Sequence, residues 1–325
     1  MSVSAGDDIK LGPPHAEDPE RLATFQARID RGELIERDDW IPEDYRLGML
    51  RMAEHHGNSE IMGALPEGEW ITRAPNLKRK LALIAKVQDE VGHGQMLYRV
   101  VEDLGKTRDE ILRDLIAGRT KYHNVFNYPV PTWADVAMIA WLVDGAAIMN
   151  QKTLADGSYG PYVRTMKRIN MEEAFHFKHG EDMVLTLMSG TPKQKQMAQE
   201  AFNRWWPPSV MFFGPPDRKS TQGAMFLRYR LKTTTNDDLR QRFVDRFAPA
   251  ARALGLRFPG DDSAYRFNPD TGHWTFEQPD WDEFYRVIRG QGPCNERRIA
   301  LRRFSYEQGA WVRRAILGQL SATAA

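Results

Sequence analysis

The sequence contains very little cysteine: Cys294 is the one cysteine among 325 residues. An intrachain disulfide is therefore excluded, and so is any metal site that requires two thiolates. Long apolar runs are also missing, since no stretch approaches the roughly 18 consecutive apolar residues of a membrane-spanning helix. The first ten residues, MSVSAGDDIK, contain no apolar core of a secretory signal. We therefore expect a cytoplasmic protein without a membrane segment.

The sequence also has no excess of charge of either sign. Lys and Arg number 45 against 44 Asp and Glu, which gives a formal charge of +1 and a sequence pI of about 7.9. A nucleic-acid-binding domain is normally strongly basic, so this class is not indicated. Hydrophobic residues make up 42% of the chain, enough to form a substantial core. Hydrolase, zinc-protease and dinucleotide-binding motifs are absent.

Apolar residues recur with helical spacing over most of the chain. This pattern predicts four long helices, at roughly 43–62, 75–101, 133–155 and 160–188. It predicts shorter helices near 22–31, 107–117, 193–204, 235–254 and 295–318. Glycine and proline predict loops at 63–68 and 124–131 and irregular structure at 205–217, and alternation predicts a small hairpin within 258–281.

The same pattern predicts how the chain is divided. Residues 1–20 are polar, rich in proline and without periodicity, so we expect a flexible tail there. No linker is evident after it. We therefore expect residues 21–325 to form a single helical domain with a C-terminal extension from about residue 205.

Carboxylates interrupt the apolar inner face of each long helix. Two of these helices carry a Glu-x-x-His pair, Glu90 with His93 and Glu173 with His176. The other two carry Glu60 and Asp144 at inner-face positions. A lone buried carboxylate costs several kcal/mol unless it is paired or binds a metal, and four in one core repel each other strongly. Two divalent metal ions would balance them.

The spacing of these residues supports a two-metal site. Glu60 and Glu90 are 30 residues apart, Asp144 and Glu173 are 29 apart, and 54 residues separate Glu90 from Asp144. Two helical hairpins of similar size, each with one carboxylate and one Glu-x-x-His, are the pattern of ferritin-like di-iron bundles. We therefore predict an all-α, ferritin-like four-helix di-iron bundle with extra helices and a C-terminal extension that contains the hairpin. Oxygen and imidazole ligands suit iron or manganese.

Structural interpretations of the same residues remain open. Glu90 and Glu173 could instead pair with arginines inside the core, with the two histidines as satisfied core residues. Glu172 falls off the apolar stripe, which predicts a solvated position. Of the adjacent His55 and His56, one is expected beside Glu60 and the other at the surface.

Several long motifs resemble one family closely. They include NSEI (58–61), WITRAP (70–75), AKVQDE (85–90), WLVDGAA (141–147), SYGPY (158–162) and TNDDLRQRF (235–243). Over about residues 35–318 the chain resembles the catalytic A subunits of bacterial ring-1,2-phenylacetyl-CoA epoxidases. These are di-iron monooxygenases of aerobic phenylacetate catabolism.

The resemblance implies a function with named partners. It implies epoxidation of the aromatic ring of phenylacetyl-CoA with O₂, at a centre of two iron ions. NADPH would act only through a separate reductase subunit. The complex would also contain a non-catalytic paralogous helical subunit, together with a small bridging subunit. Neither nucleic acid nor membrane would be a partner.

The resemblance also implies site residues, position by position. The catalytic metal ligands would be Glu60, Glu90, His93, Asp144, Glu173 and His176. The CoA-binding residues would be Arg51, His55, Lys121, Tyr122, His123, Asn124, Ser220, Thr221, Gln222 and Lys232. Of these, Arg51, Lys121 and Lys232 could supply cations for CoA phosphates.

Three alternative functions remain. The same chemistry could act on another aryl-CoA such as benzoyl-CoA. A ferritin-type ferroxidase would use a similar site, but the long region after residue 205 disfavours a minimal storage bundle. A non-catalytic scaffold role is disfavoured because all six predicted ligands are present.

Overall fold

Helices provide nearly all the regular structure of the chain. The computed structural model describes residues 18–220, 222–316 and 318. Its helices are α1 (Pro19–Asp30), α2 (Glu43–Gly68), α3 (Leu77–Asp103), α4 (Arg108–Ile116), α5 (Trp133–Met138), α6 (Asp144–Leu154), α7 (Gly160–Met188), α8 (Pro192–Val210), α9 (Gly223–Arg228), α10 (Asn236–Ala253), α11 (Trp281–Arg286), α12 (Asn295–Gln308) and α13 (Ala310–Ile316). The described strands β1 (Phe267–Asn268) and β2 (His273–Trp274) form one antiparallel hairpin. The predicted all-α fold with a small hairpin is confirmed.

The long helices form a four-helix bundle made of two hairpins. α2 packs along α3, α7 packs along α5 and α6, and α3 and α7 join the two hairpins. A π-helical segment, Ile139–Val143, connects α5 to α6 without a break, so these two elements form one helix. π-helical turns are often found at functional sites because they shift the side chains that follow them. Here the residue that follows is Asp144.

Glycine allows two of these helices to approach closely. A Cβ atom on Gly180 of α7 would lie 2.3 Å from the backbone carbonyl carbon of Ala140. No larger side chain fits at this position unless the helices move apart. Gly180 therefore fixes the distance between α7 and the π-helical segment, one turn beyond His176.

Two segments predicted as irregular are helical. α2 continues through Pro66 to Gly68, and α8 continues through Pro207 and Pro208. An interior proline costs a helix about 3 kcal/mol. α8 contains two such prolines, and the burial of Trp205 and Trp206 opposes their combined cost, since burying a large apolar side chain contributes about 1.5–3 kcal/mol. The loop prediction for 63–68 and the prediction for the start of 205–217 were wrong.

The N-terminal prediction is tested only in part. Residues 1–17 of the predicted tail lie outside the described residues. α1 begins at Pro19, earlier than predicted, and the Asp18 side chain accepts a hydrogen bond from the backbone of Glu20. The single-domain organisation stays a prediction.

None of the helices in the described ranges is long and apolar enough to span a membrane.

Candidate metal centre

The six predicted ligands converge at the centre of the bundle. Glu60 lies on α2, Glu90 and His93 on α3, Asp144 at the start of α6, and Glu173 and His176 on α7. All six side chains are buried. Their ligand atoms form two overlapping groups, each within 4.8 Å: Glu60, Glu90, His93 and Glu173 in one, and Glu90, Asp144, Glu173 and His176 in the other. Glu90 and Glu173 belong to both groups.

Helix geometry explains this convergence. Residues three apart on a helix lie on the same face, so each Glu-x-x-His pair points inward as a unit. α3 and α7 pack against each other, which brings their two pairs together. The rings of His93 and His176 have centroids 5.9 Å apart.

A buried lysine, which the sequence did not predict, lies within the cluster. Lys86 has a side chain only 1% exposed, and its Nζ lies 2.6 Å from Glu67 Oε2. The same nitrogen lies 3.0 Å from Asp144 Oδ2 and 3.4 Å from Glu90 Oε1. Lys86 precedes Glu90 by four residues on the inner face of α3, a spacing that is visible in the sequence. Glu67 could not be placed, because its segment was predicted as a loop.

The donor set fits two divalent cations. Five buried carboxylates and one ammonium carry a formal charge of −4, which two divalent cations would neutralise; the carboxylates are those of Glu60, Glu67, Glu90, Asp144 and Glu173. His93 Nδ1 is buried and has no hydrogen-bond partner among the described residues. It lies 3.5 Å from Glu173 Oε1 and 3.8 Å from Glu60 Oε2, as expected for an imidazole placed to bind a metal beside carboxylates.

Both histidines are held by carboxylates on the far side of their rings. His93 Nε2 donates to Glu172 Oε2 over 2.9 Å, and His176 Nε2 donates to Asp89 Oδ2 over 3.2 Å. In the neutral ring, a proton on Nε2 leaves the Nδ1 lone pair facing the cluster, and this is the form that binds a metal. Glu172, predicted to be solvated, is only partly exposed, because α3 packs on α7 at this point and brings His93 to its carboxylate.

The cluster shifts the acidity of its members in opposite directions. Burial raises the pKa of Glu60 above its ordinary value and the pKa of Asp144 well above it. Burial would also raise the pKa of Glu90, but Lys86 holds it well below its usual range. Burial lowers the pKa of His176, yet Glu173 and Glu90 outweigh it and bring that pKa to about 11. Without a metal, protons therefore occupy part of the site.

A cavity of about 450 Å³ opens onto these carboxylates. Glu60, Glu90, Asp144 and Glu173 form part of its lining. Apolar side chains form much of the rest, including Phe126, Val143, Ala147, Phe212, Phe226 and Phe284. An apolar chamber of this size beside a polar cluster suits a small aromatic group.

Most of the predicted CoA-binding residues line the same cavity. These are Arg51, His55, His123, Asn124, Ser220, Gln222 and Lys232. Two other predicted residues, Lys121 and Tyr122, do not line the cavity. Lys121 is exposed, and Tyr122 is buried and donates a hydrogen bond from its hydroxyl to Asn127. Thr221 lies outside the described residues. The CoA contacts themselves stay predictions.

Two of the lining residues are suited to bind a polar ligand. The Asn124 side-chain nitrogen is buried and has no hydrogen-bond partner within the described part of the chain. Lys232 Nζ donates to Asn236, and burial lowers the pKa of Lys232 to about 8. An anionic ligand would reverse that shift.

The chain resembles proteins of known name along most of its length. Residues 16–311 match the family described as phenylacetic acid catabolic protein. The chain is 48% identical to the A subunit of the 1,2-phenylacetyl-CoA epoxidase of Escherichia coli (strain K12) over 293 residues, which cover 90% of this chain and 94% of that protein. It is 25% identical to benzoyl-CoA oxygenase component B of Aromatoleum evansii over 178 residues, which cover 51% of this chain and 37% of that protein.

Proposed function

Because the chain belongs to the phenylacetic acid catabolic protein family, we propose that it is the catalytic subunit of a phenylacetyl-CoA epoxidase. The observation that carries the proposal is the identity of 48% with the A subunit of such an epoxidase, along nearly the whole of both chains. The buried Glu and His cluster, open to an apolar cavity, supports the proposal, because such an enzyme needs a metal site beside a pocket for the ring.

We propose that the cluster holds two iron ions. The ligands would be the six residues predicted from the sequence: Glu60, Glu90, His93, Asp144, Glu173 and His176. Iron bound there would supply the activation of O₂ and the transfer of one oxygen atom to the ring, with the other oxygen leaving as water. Glu90 and Glu173 belong to both ligand groups, so they are the residues that would link the two metal positions.

The cavity residues would position the substrate and exclude water. A phenyl ring offers no polar group, so its placement depends on shape and on binding energy from the remote CoA moiety. Val143 and Ala147 lie on the same helix as Asp144 and line the cavity with Phe126. Arg51 and Lys232 would contact CoA phosphates, since both are cationic and line the cavity.

The enzyme would work within a cytoplasmic complex. The name of the Escherichia coli relative identifies that protein as one subunit of an assembly. We propose three partners: a reductase that supplies electrons from NADPH, a non-catalytic paralogous helical subunit, and a small bridging subunit. Exposed apolar side chains along α3 and α7 support a protein interface there, among them Leu77, Leu81, Met171, Phe175 and Leu185.

Epoxidation of benzoyl-CoA is the second candidate. The similarity to benzoyl-CoA oxygenase component B favours it, but that match covers about half of this chain. A ferroxidase is less well supported, because iron storage does not require a large aromatic-lined cavity beside the metal site.

Turnover under ¹⁸O₂ would test the proposal and show which of the two candidate substrates the enzyme prefers. The full chain, assembled with partner subunits and reductase, would receive phenylacetyl-CoA or benzoyl-CoA and NADPH. We expect mass spectrometry to find one ¹⁸O atom in the phenylacetyl-CoA product and much slower turnover of benzoyl-CoA. Iron-loaded complex that incorporates no ¹⁸O into either substrate would refute the oxygenase assignment.

A further inference from the structure

Glu60 is held differently from two other carboxylates of the metal centre. Glu90 and Asp144 both lie within 3.4 Å of the Lys86 ammonium. Glu60 is instead held by imidazoles. Its Oε1 lies 2.9 Å from His56 Nε2, whereas its Oε2 faces the ring of His93 across 3.8 Å. One oxygen of Glu60 is thus engaged away from the cluster, and the other is directed into it.

His56 is held in turn by a buried tyrosine. His56 is the member of the His55–His56 pair that lies beside Glu60, as one of the two was expected to do. Its Nδ1 lies 2.8 Å from the hydroxyl of Tyr162, which is 2% exposed. Burial, and to a smaller extent Glu60, raise the pKa of Tyr162 above its ordinary value, so the phenol keeps its proton. The side-chain amide of Gln151 also borders His56, with its Nε2 3.4 Å from His56 Nε2. This is a contact and not a hydrogen bond when His56 Nε2 carries a proton, because an amide nitrogen can only donate.

Proton positions in this group follow from the chemistry of its members. A metal-binding carboxylate can only accept hydrogen bonds, so His56 must donate to Glu60 from Nε2. A neutral imidazole then has its lone pair on Nδ1, and Tyr162 O–H donates to it. Tyr162 therefore selects the His56 tautomer that can hold Glu60.

We propose that Tyr162 and His56 are positioning residues that keep Glu60 turned with a single oxygen toward the metal centre. The inference rests on the proposed metal site. Tyr162, His56 and Gln151 all line the substrate cavity, so this ligand is held from the side on which substrate binds. Substrate that displaces the pair would release Glu60, whereas Glu90 and Asp144 would remain held by Lys86.

Cobalt binding tests the positioning role without turnover. The full chain is titrated with Co²⁺ under argon, and the visible absorption of bound Co²⁺ reports affinity and coordination at each site. We expect two Co²⁺ per wild-type chain. Tyr162→Phe should weaken one of the two sites about 10-fold and alter its spectrum, since loss of a residue that orients a ligand typically costs 10- to 100-fold in metal affinity.

A double-mutant cycle makes the test specific to the pair. His56→Phe should weaken the same site more than Tyr162→Phe does, and adding Tyr162→Phe to His56→Phe should change nothing further. His56→Gln, which keeps a donor for Glu60, should recover part of the affinity. Tyr45→Phe is the matched control, because the hydroxyl of this buried tyrosine hydrogen-bonds Ser158 at 2.9 Å rather than a histidine.

The outcomes distinguish failure of the positioning role from failure of the metal centre itself. Wild-type protein that binds two Co²⁺ while Tyr162→Phe and His56→Phe bind both unchanged would overturn the positioning role and leave the metal centre standing. Wild-type protein that binds no Co²⁺ would overturn the metal centre itself. If Tyr162→Phe does not fold, the comparison of His56→Phe with His56→Gln decides the proposal, with equal affinities counting against it.

Discussion

Two buried regions of the molecule are built from opposite chemistry. The centre of the four-helix bundle holds charged side chains around Lys86, whereas the core under α8 and α10 holds packed aromatic rings such as Trp206, Phe243 and Phe258. The aromatic core gains free energy from burial itself. The charged centre is costly to bury, and its members offset that cost only through each other or through bound cations. Stability and catalysis should therefore respond to different substitutions.

Loss of a proposed metal ligand should have the largest effect on activity. Glu90→Ala should abolish turnover at every substrate concentration, because Glu90 belongs to both ligand groups. Steady-state turnover of the full complex at saturating phenylacetyl-CoA, together with metal content per chain, would measure it. Glu172→Gln is a useful control, since it alters a hydrogen bond to His93 without removing a ligand. Retention of wild-type turnover by Glu90→Ala would contradict the assignment.

Disruption of the aromatic core should instead lower stability. Trp206 is fully buried and its indole donates to Tyr265 over 3.1 Å. Trp206→Ala should cost about 3–5 kcal/mol of unfolding free energy, with metal binding retained in the folded fraction. Urea unfolding of this variant beside Trp206→Phe would measure the effect. A loss of metal binding at unchanged stability would show that the two regions are not separate.

Protonation of residues in the charged centre should make metal binding depend on pH. The pKa of His176 is raised to about 11, so its ring is protonated at pH 7 and must lose a proton to bind a metal. Binding therefore releases protons, and affinity should fall as the pH falls, by about 10-fold per pH unit for each proton released. Co²⁺ titrations between pH 6 and 8 would measure the slope. A slope of zero would contradict the protonation described here.

The smallest effect is expected at the cationic edge of the cavity. Lys232→Ala should raise KM for phenylacetyl-CoA roughly 10- to 100-fold and leave kcat nearly unchanged, because a charge-assisted contact contributes about 1.5–3 kcal/mol. Lys121→Ala is the comparison, since Lys121 was predicted to bind CoA but does not line the cavity. A larger KM effect at Lys121 than at Lys232 would show that CoA binds along a different surface.

The sequence predicted the bundle better than it predicted the surroundings of the metal centre. Carboxylates on apolar helical faces are conspicuous, so Glu90 and Glu173 could be identified from periodicity. Lys86 escaped notice because a lysine on a long helix usually reaches solvent. Glu67 and Trp206 lie in segments where prolines predicted a loop or irregular structure. Both segments are helical, because tertiary burial outweighed the low helix preference of proline there. The link from Tyr162 to His56 joins residues 106 positions apart, which spacing on one helix cannot reveal.

The most direct test of the metal centre is anomalous diffraction from crystals of the full chain loaded with Fe²⁺ under argon. Data on either side of the iron absorption edge locate iron without reference to activity. We expect two anomalous peaks per chain, one beside Glu60 and His93 and one beside Asp144 and His176. An iron-loaded crystal with no peak between α3 and α7, or with iron bound elsewhere on the chain, would contradict it.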